Sequence, residues 1–134
     1  MPNRILVVED DEDLVELLTF NLTNAGFEVA TASNGSDGLK KIRALHPDLL
    51  LLDLMLPELD GFAICDILRR DPDTASIPII ILTAVSGGLA RLAGFDAGAN
   101  DYVTKPFSPK ELIARIQGLL DLAAIAAARR ARVA

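Results

Sequence analysis

Ile5-Leu6-Val7-Val8-Glu9-Asp10-Asp11 is the stretch whose reading decides the fold. Four apolar residues in succession, three of them β-branched, suit a strand covered on both faces in a parallel sheet; a half-exposed strand would alternate apolar with polar. Three acidic residues follow at once, so the chain leaves the buried layer on a group of carboxylates. Working outward, similar short apolar runs recur at residues 27–31, 49–52, 79–82 and 102–103.

The segments between these runs have helical period. Leu14, Leu17, Leu18 and Leu22 line one face of a first helix that ends at Asn24-Ala25-Gly26. Leu39, Ile42 and Leu45 do the same for a second, and a third spans residues 60–70 and stops before Asp71-Pro72. A fourth, weaker helix lies over residues 88–97; the glycines of Val85-Ser86-Gly87-Gly88-Leu89 predict that it starts late and is mobile. The last opens at Ser108-Pro109-Lys110-Glu111, a capping box with proline at the first helical position. Five repeats of strand then helix predict an α/β fold, a five-stranded parallel sheet with right-handed crossovers and helices on both faces.

The bulk properties narrow the function classes. At 134 residues the chain makes one ordinary domain, and its 51% hydrophobic content is that of a globular protein. A net charge of -6 argues against direct nucleic-acid binding, which needs a basic face. The single cysteine, Cys65, excludes an intramolecular disulfide and a thiolate metal cluster. No apolar run approaches the ~20 residues of a membrane span, and the first residues carry no signal-peptide pattern, so a cytoplasmic, membrane-free protein is expected. The domain is expected over residues 1–122. Residues 123–134, alanine-rich and containing Arg129-Arg130-Ala131-Arg132, form either a helical extension or a linker.

In such a sheet a ligand site lies at the carboxyl ends of the strands. Asp10 and Asp11 follow the first strand and Asp53 ends the third, so the three are expected at one rim. Unit charges ~4 Å apart repel by roughly 4 kcal/mol at an effective dielectric of about 20, a conflict that a hard divalent cation removes. Mg2+, held by few carboxylates and keeping several waters, fits that chemistry. Singly, each carboxylate could equally be solvated, and Asp11 or Glu12 could equally cap the first helix. Thr83 ends the fourth strand and Lys105 follows the fifth, in Val103-Thr104-Lys105-Pro106-Phe107. A hydroxyl, an ammonium, a metal site and a spare carboxylate on one rim are equipment for binding a phosphoryl group. No glycine-rich nucleotide cradle accompanies them, which points to a donor on another molecule. His46, the only histidine, reads as an exposed helix-end residue; Cys65, Phe20, Phe27, Phe62 and Phe95 read as packing.

At these residues the chain resembles the receiver domains of two-component response regulators, the CheY-like superfamily, and among them the OmpR/PhoB winged-helix subfamily. The resemblance covers residues 3–122. It rests on Ile5-Leu6-Val7-Val8-Glu9-Asp10-Asp11, on Pro57 and Asp60-Gly61, on Leu82-Thr83-Ala84 and on the stretch from Gly98 to Phe107. It implies a flavodoxin-like strand order 2-1-3-4-5. It also implies that Asp53 takes a phosphoryl group from a sensor histidine kinase. Asp10, Asp53 and the Met55 carbonyl would bind Mg2+ directly, and Asp11 mainly through water. Lys105 would pair with the phosphoryl oxygens, and Lys105-Pro106 would be a cis peptide. Thr83 and Tyr102 would form the switching pair, and Ala84 would leave the approach open. Arg91, Asp101, Glu111 and Arg115 could supply a dimer face on the fourth helix, fifth strand and fifth helix. Asn100, where an acidic residue is common, and the glycine-led fourth helix depart from the subfamily pattern and bear on that dimer.

The implied function is a phosphorylation switch, not an enzyme acting on outside substrates, with a transcriptional output domain absent from this chain. A stand-alone receiver working by protein contacts or in a phosphorelay is the alternative. A magnesium phosphatase of the aspartyl-phosphate type would carry a second aspartate two residues after the nucleophile, where this chain has Met55. A flavodoxin-like binding module would need a phosphate cradle after the first strand, where the acidic residues stand.

Overall fold

The structure, a computed structural model, describes residues 2–133. Five strands and five helices alternate along the chain: β1 (Arg4–Val8), α1 (Glu12–Asn24), β2 (Glu28–Ala32), α2 (Gly35–Leu45), β3 (Leu49–Leu52), α3 (Gly61–Arg70), β4 (Ile79–Thr83), α4 (Gly88–Ala97), β5 (Asp101–Thr104) and α5 (Pro109–Val133). The strands form one parallel sheet in the order β2-β1-β3-β4-β5. β3 and β4 are buried at every residue and β1 at all but its first, whereas the edge strands β2 and β5 are mostly half-exposed. This explains why residues 5–8, 49–52 and 79–82 are apolar at consecutive positions, whereas the edge strands carry polar residues among apolar ones.

Strand alternation distributes these runs between two cores. Leu6, Val8, Leu50, Leu52, Ile79 and Ile81 face Ile42 of α2 and Ile64, Cys65 and Leu68 of α3. Ile5, Val7, Leu49, Leu51, Ile80 and Leu82 face Leu18 and Leu22 of α1 and Leu112, Ile116 and Leu120 of α5. Burying a side chain of this size contributes roughly 1.5–3 kcal/mol, which makes the two apolar layers the main source of stability.

Several boundaries differ from the sequence-based expectations. β2 is displaced by one residue, to Glu28–Ala32, because Phe27 leaves the strand and packs into the core beside α1. β4 ends at Thr83, as expected, whereas β5 gains Asp101 and Thr104 through pairing with Ile80 and Thr83. α1 ends at Asn24, and Gly26 makes the turn with φ +96. Phe20 and Phe95, expected to pack, are 65% and 42% exposed, whereas Cys65 is fully buried. His46 is exposed and ends α2 in a left-handed conformation. α5 passes through the expected domain limit at 122/123 without a break, and Leu120 is its last buried residue. Among the described residues, no helix is long and apolar enough to cross a membrane.

Candidate phosphoacceptor site

Backbone pairing continues past three strand ends and aims the functional side chains at one rim. The Glu9 amide donates to Ala32 O at 3.0 Å, the Asp53 amide to Val8 O at 3.1 Å and the Lys105 amide to Thr83 O at 2.9 Å. The Lys105-Pro106 peptide is cis. α3 comes close behind Asp53 because residue 61 is glycine: a Cβ there would lie 2.7 Å from the Asp53 carbonyl oxygen and 2.9 Å from Leu54 Cα.

At the rim, the Lys105 ammonium donates to Asp53 Oδ2 at 2.9 Å and to Glu9 Oε1 at 2.6 Å. Asp53 Oδ1 accepts from the Met55 amide at 3.1 Å, and Glu9 Oε2 from the Asp11 amide at 3.1 Å. Glu9, Asp53 and Thr83 are buried polar residues, and Asp10 is exposed beside them. Carboxylate oxygens of Glu9, Asp10 and Asp53 lie within 4.8 Å of one another.

The two acids shift in opposite senses overall, because burial raises both but their partners differ. For Glu9, burial raises the pKa and outweighs the Lys105 ammonium and the Asp11 amide. Burial would also raise Asp53, but the Lys105 ammonium, the Thr83 hydroxyl and the Met55 amide together hold it below the ordinary range. Burial would lower Lys105, yet its two carboxylate partners raise it, so it stays protonated. The site at neutral pH is therefore an ionised aspartate held by a cation, with further carboxylates at its side.

Of the two readings open for Asp11 the structure shows the helix cap, and Glu9 was not singled out from the sequence. Asp11 is the N-cap of α1: its Oδ1 accepts from the amides of Asp13 at 3.1 Å and Leu14 at 3.3 Å. That places its carboxylate outside the group of three, and Glu9 takes the corresponding place. Sequence reasoning missed Glu9 as a separate member because three consecutive acids look alike. The available signal was adjacency to Val8, since the residue next to a buried strand is the one that pairing extends to.

Asp10, Asp53, Thr83 and Lys105 lie at the rim with the Met55 amide, and Ala84 is exposed at its edge. Tyr102 is buried, and its hydroxyl donates to Val85 O at 2.6 Å; the Val85 amide in turn donates to Thr83 Oγ1 at 3.3 Å. On the α4-β5-α5 side, Arg115 pairs with Asp101 at 2.8 Å and with Glu111 at 3.1 Å, and Arg91 lies 5.4 Å above the Tyr102 ring centre. Arg91, Tyr102, Glu111 and Arg115 line a cavity of about 210 Å³. Asn100 turns away from that face. Its Oδ1 accepts from the Ile79 amide and from Arg69, both at 2.8 Å.

The sequence pattern of the response regulator receiver domain matches residues 5–117. The DNA-binding dual master transcriptional regulator RpaA of Synechocystis is 47% identical over 87% of this chain and 48% of its own length. The alkaline phosphatase synthesis transcriptional regulatory protein PhoP of Bacillus subtilis is 46% identical over 95% of this chain and 52% of its own length. The chain thus spans about half the length of these curated relatives. The receiver domain of response regulator 1452 of Francisella superposes with a TM-score of 0.84 at 32% identity, over 89% of this chain and 97% of that one. With five parallel strands in this order and this match along nearly its whole length, the chain belongs to the receiver domains of two-component response regulators.

Proposed function

We propose that Asp53 is the phosphoacceptor and that a sensor histidine kinase is the donor. A carboxylate oxygen of Asp53 attacks the phosphorus, the phosphorus–nitrogen bond to the kinase histidine breaks, and an aspartyl phosphate forms. The observation that carries this reading is the 2.9 Å pair between Asp53 Oδ2 and the Lys105 ammonium at the end of β3. The ammonium neutralises phosphoryl oxygens as charge gathers there, and Thr83 supplies a hydroxyl donor beside them.

The three clustered carboxylates are hard oxygen donors that fit a small divalent cation. Asp10, Asp53 and the Met55 carbonyl would hold Mg2+, with Glu9 beside them in the part first assigned to Asp11. When bound, Mg2+ offsets charge on the phosphoryl oxygens. Lys105 meanwhile orients Asp53, and Asp11 holds the start of α1.

Residues 1–122 constitute the receiver, and the rest of α5 is a helical extension. Relatives named as DNA-binding regulators have about twice this length, which supports a transcriptional output carried by another domain. Direct DNA contact by this acidic chain is not part of the proposal. The phosphorylated form pairs through the α4-β5-α5 face by Arg91, Asp101, Glu111 and Arg115, and the protein works in the cytoplasm. Turnover of outside phosphate esters is disfavoured by Met55 at the position where such hydrolases place their acid/base.

The test is labelling by acetyl phosphate in Mg2+. The wild type takes up one phosphoryl group, and Asp53→Asn takes up none. Stoichiometric label retained by Asp53→Asn would refute the assignment.

A further inference from the structure

α4 meets the sheet at a residue that has no side chain. Gly94 is the buried position of α4, and a Cβ built on it would stand 2.9 Å from Cδ2 and 3.2 Å from Cε2 of Tyr102, and 3.0 Å from Cδ1 of Ile81. The Ile81 atom is the free end of a flexible side chain and can yield. The Tyr102 atoms belong to a rigid ring that is 1% exposed, with its hydroxyl fixed on Val85 O and Arg91 above its face. Sideways relief at the 2.9 Å contact would require the ring to leave that hydrogen bond.

We propose that Gly94 is a positioning residue of the switch: the Cβ it lacks is the space that admits Tyr102 to its inward seat, so residue 94 sets the balance between the inward and outward rings. This rests on the proposed phosphorylation switch and on Tyr102 being its switch tyrosine, as the resemblance to receiver domains implies. Glycine is a poorer helix former than alanine, so this position weakens α4 unless something else gains. The close approach of the ring supplies that gain. Gly118, inside α5, provides a contrast, since a Cβ there would meet nothing within 4 Å. An outward ring also has somewhere to go, because Tyr102 borders the cavity that Arg91, Glu111 and Arg115 line. Alanine at position 94 thus moves the population toward the outward ring without touching Asp53, Lys105 or the carboxylates.

The sequence makes the test direct. Tyr102 is the only tyrosine and there is no tryptophan, so tyrosine emission reports this one ring. Acrylamide quenching of the unphosphorylated protein is expected to rise about twofold or more in Gly94→Ala, as the protected population falls, and to stay at the wild-type value in Gly118→Ala. Unchanged quenching in a folded Gly94→Ala overturns the proposal. If Gly94→Ala fails to fold, the same substitution in a Tyr102→Ala background decides. Recovery of the thermal midpoint of Tyr102→Ala alone supports a clash with the ring, and continued failure to fold overturns it. Acetyl phosphate labelling of the same proteins keeps the two readings apart. Loss of label in the wild type would count against Asp53 as acceptor and would leave the quenching result standing.

Discussion

Lys105 lies within hydrogen-bond distance of two buried carboxylates, Asp53 at 2.9 Å and Glu9 at 2.6 Å. Their environments separate them: Asp53 stays ionised below the usual carboxylate range, while burial makes Glu9 accept a proton more readily than usual. The signs give a testable pH dependence. Asp53 stabilises the fold above its unfolded pKa, about 3.9, and that contribution is lost as pH falls through its lower folded value. Glu9 acts oppositely, since its buried charge costs stability that protonation relieves. Carboxylate ligands must be deprotonated to bind metal, so Mg2+ affinity is expected to start falling above the ordinary glutamate pKa of about 4.3. Glu9→Gln removes that upper step and weakens Mg2+ binding at neutral pH by roughly tenfold. Calorimetric titration at several pH values checks this; an unaltered profile in Glu9→Gln would exclude Glu9 from the cation site. At this scale Asp53, Thr83 and Lys105 were legible because each directly ends or follows an apolar run. The division of labour between Glu9 and Asp11 was not, because it depends on which of three adjacent acids is still held by the β2 ladder and which has turned into the helix.

α4 is the element least determined by its own sequence. It has no side-chain N-cap, its buried residue is a glycine, and Leu89 and Leu92 are 85% and 65% exposed. Its two leading glycines are not equivalent. Gly87 has φ +107, a conformation costly for any residue with a Cβ, whereas Gly88 has an ordinary backbone and open space where a Cβ would go. Gly88→Ala is therefore expected to stabilise the protein by up to about 1 kcal/mol, and Gly87→Ala to destabilise it by a similar amount. Chemical denaturation measures both, and equal effects of one sign would contradict the assigned backbone. The helix starts at Gly88, as the sequence suggested. Its attachment was not legible, because it runs through an inward ring from β5 and through Arg69, which reaches the carbonyls of Gly98, Ala75 and Ile77 from α3.

For the whole molecule, the α4-β5-α5 side carries the charges Arg91, Asp101, Glu111 and Arg115 in one patch, although Asp101 and Arg115 already satisfy each other within the chain. Exposed pairs of this kind contribute about 1 kcal/mol or less, so the face by itself holds a dimer weakly. Light scattering is expected to report monomers in the resting protein and a shift to dimers with beryllofluoride and Mg2+. Monomers under both conditions would remove this face as the output. The sequence by itself determined the α/β repeat, the buried central strands and the position of Asp53, Thr83 and Lys105 at strand ends, because strand burial and strand ends are written in local apolar pattern. Only the tertiary structure decided that Glu9 joins the rim, that Asp11 caps α1, that Asn100 bonds Arg69 and the Ile79 amide and that Tyr102 sits against Gly94. Each of those depends on a contact between residues far apart in sequence or on a choice among like neighbours. The energy of such a choice lies in a partner that periodicity does not reveal.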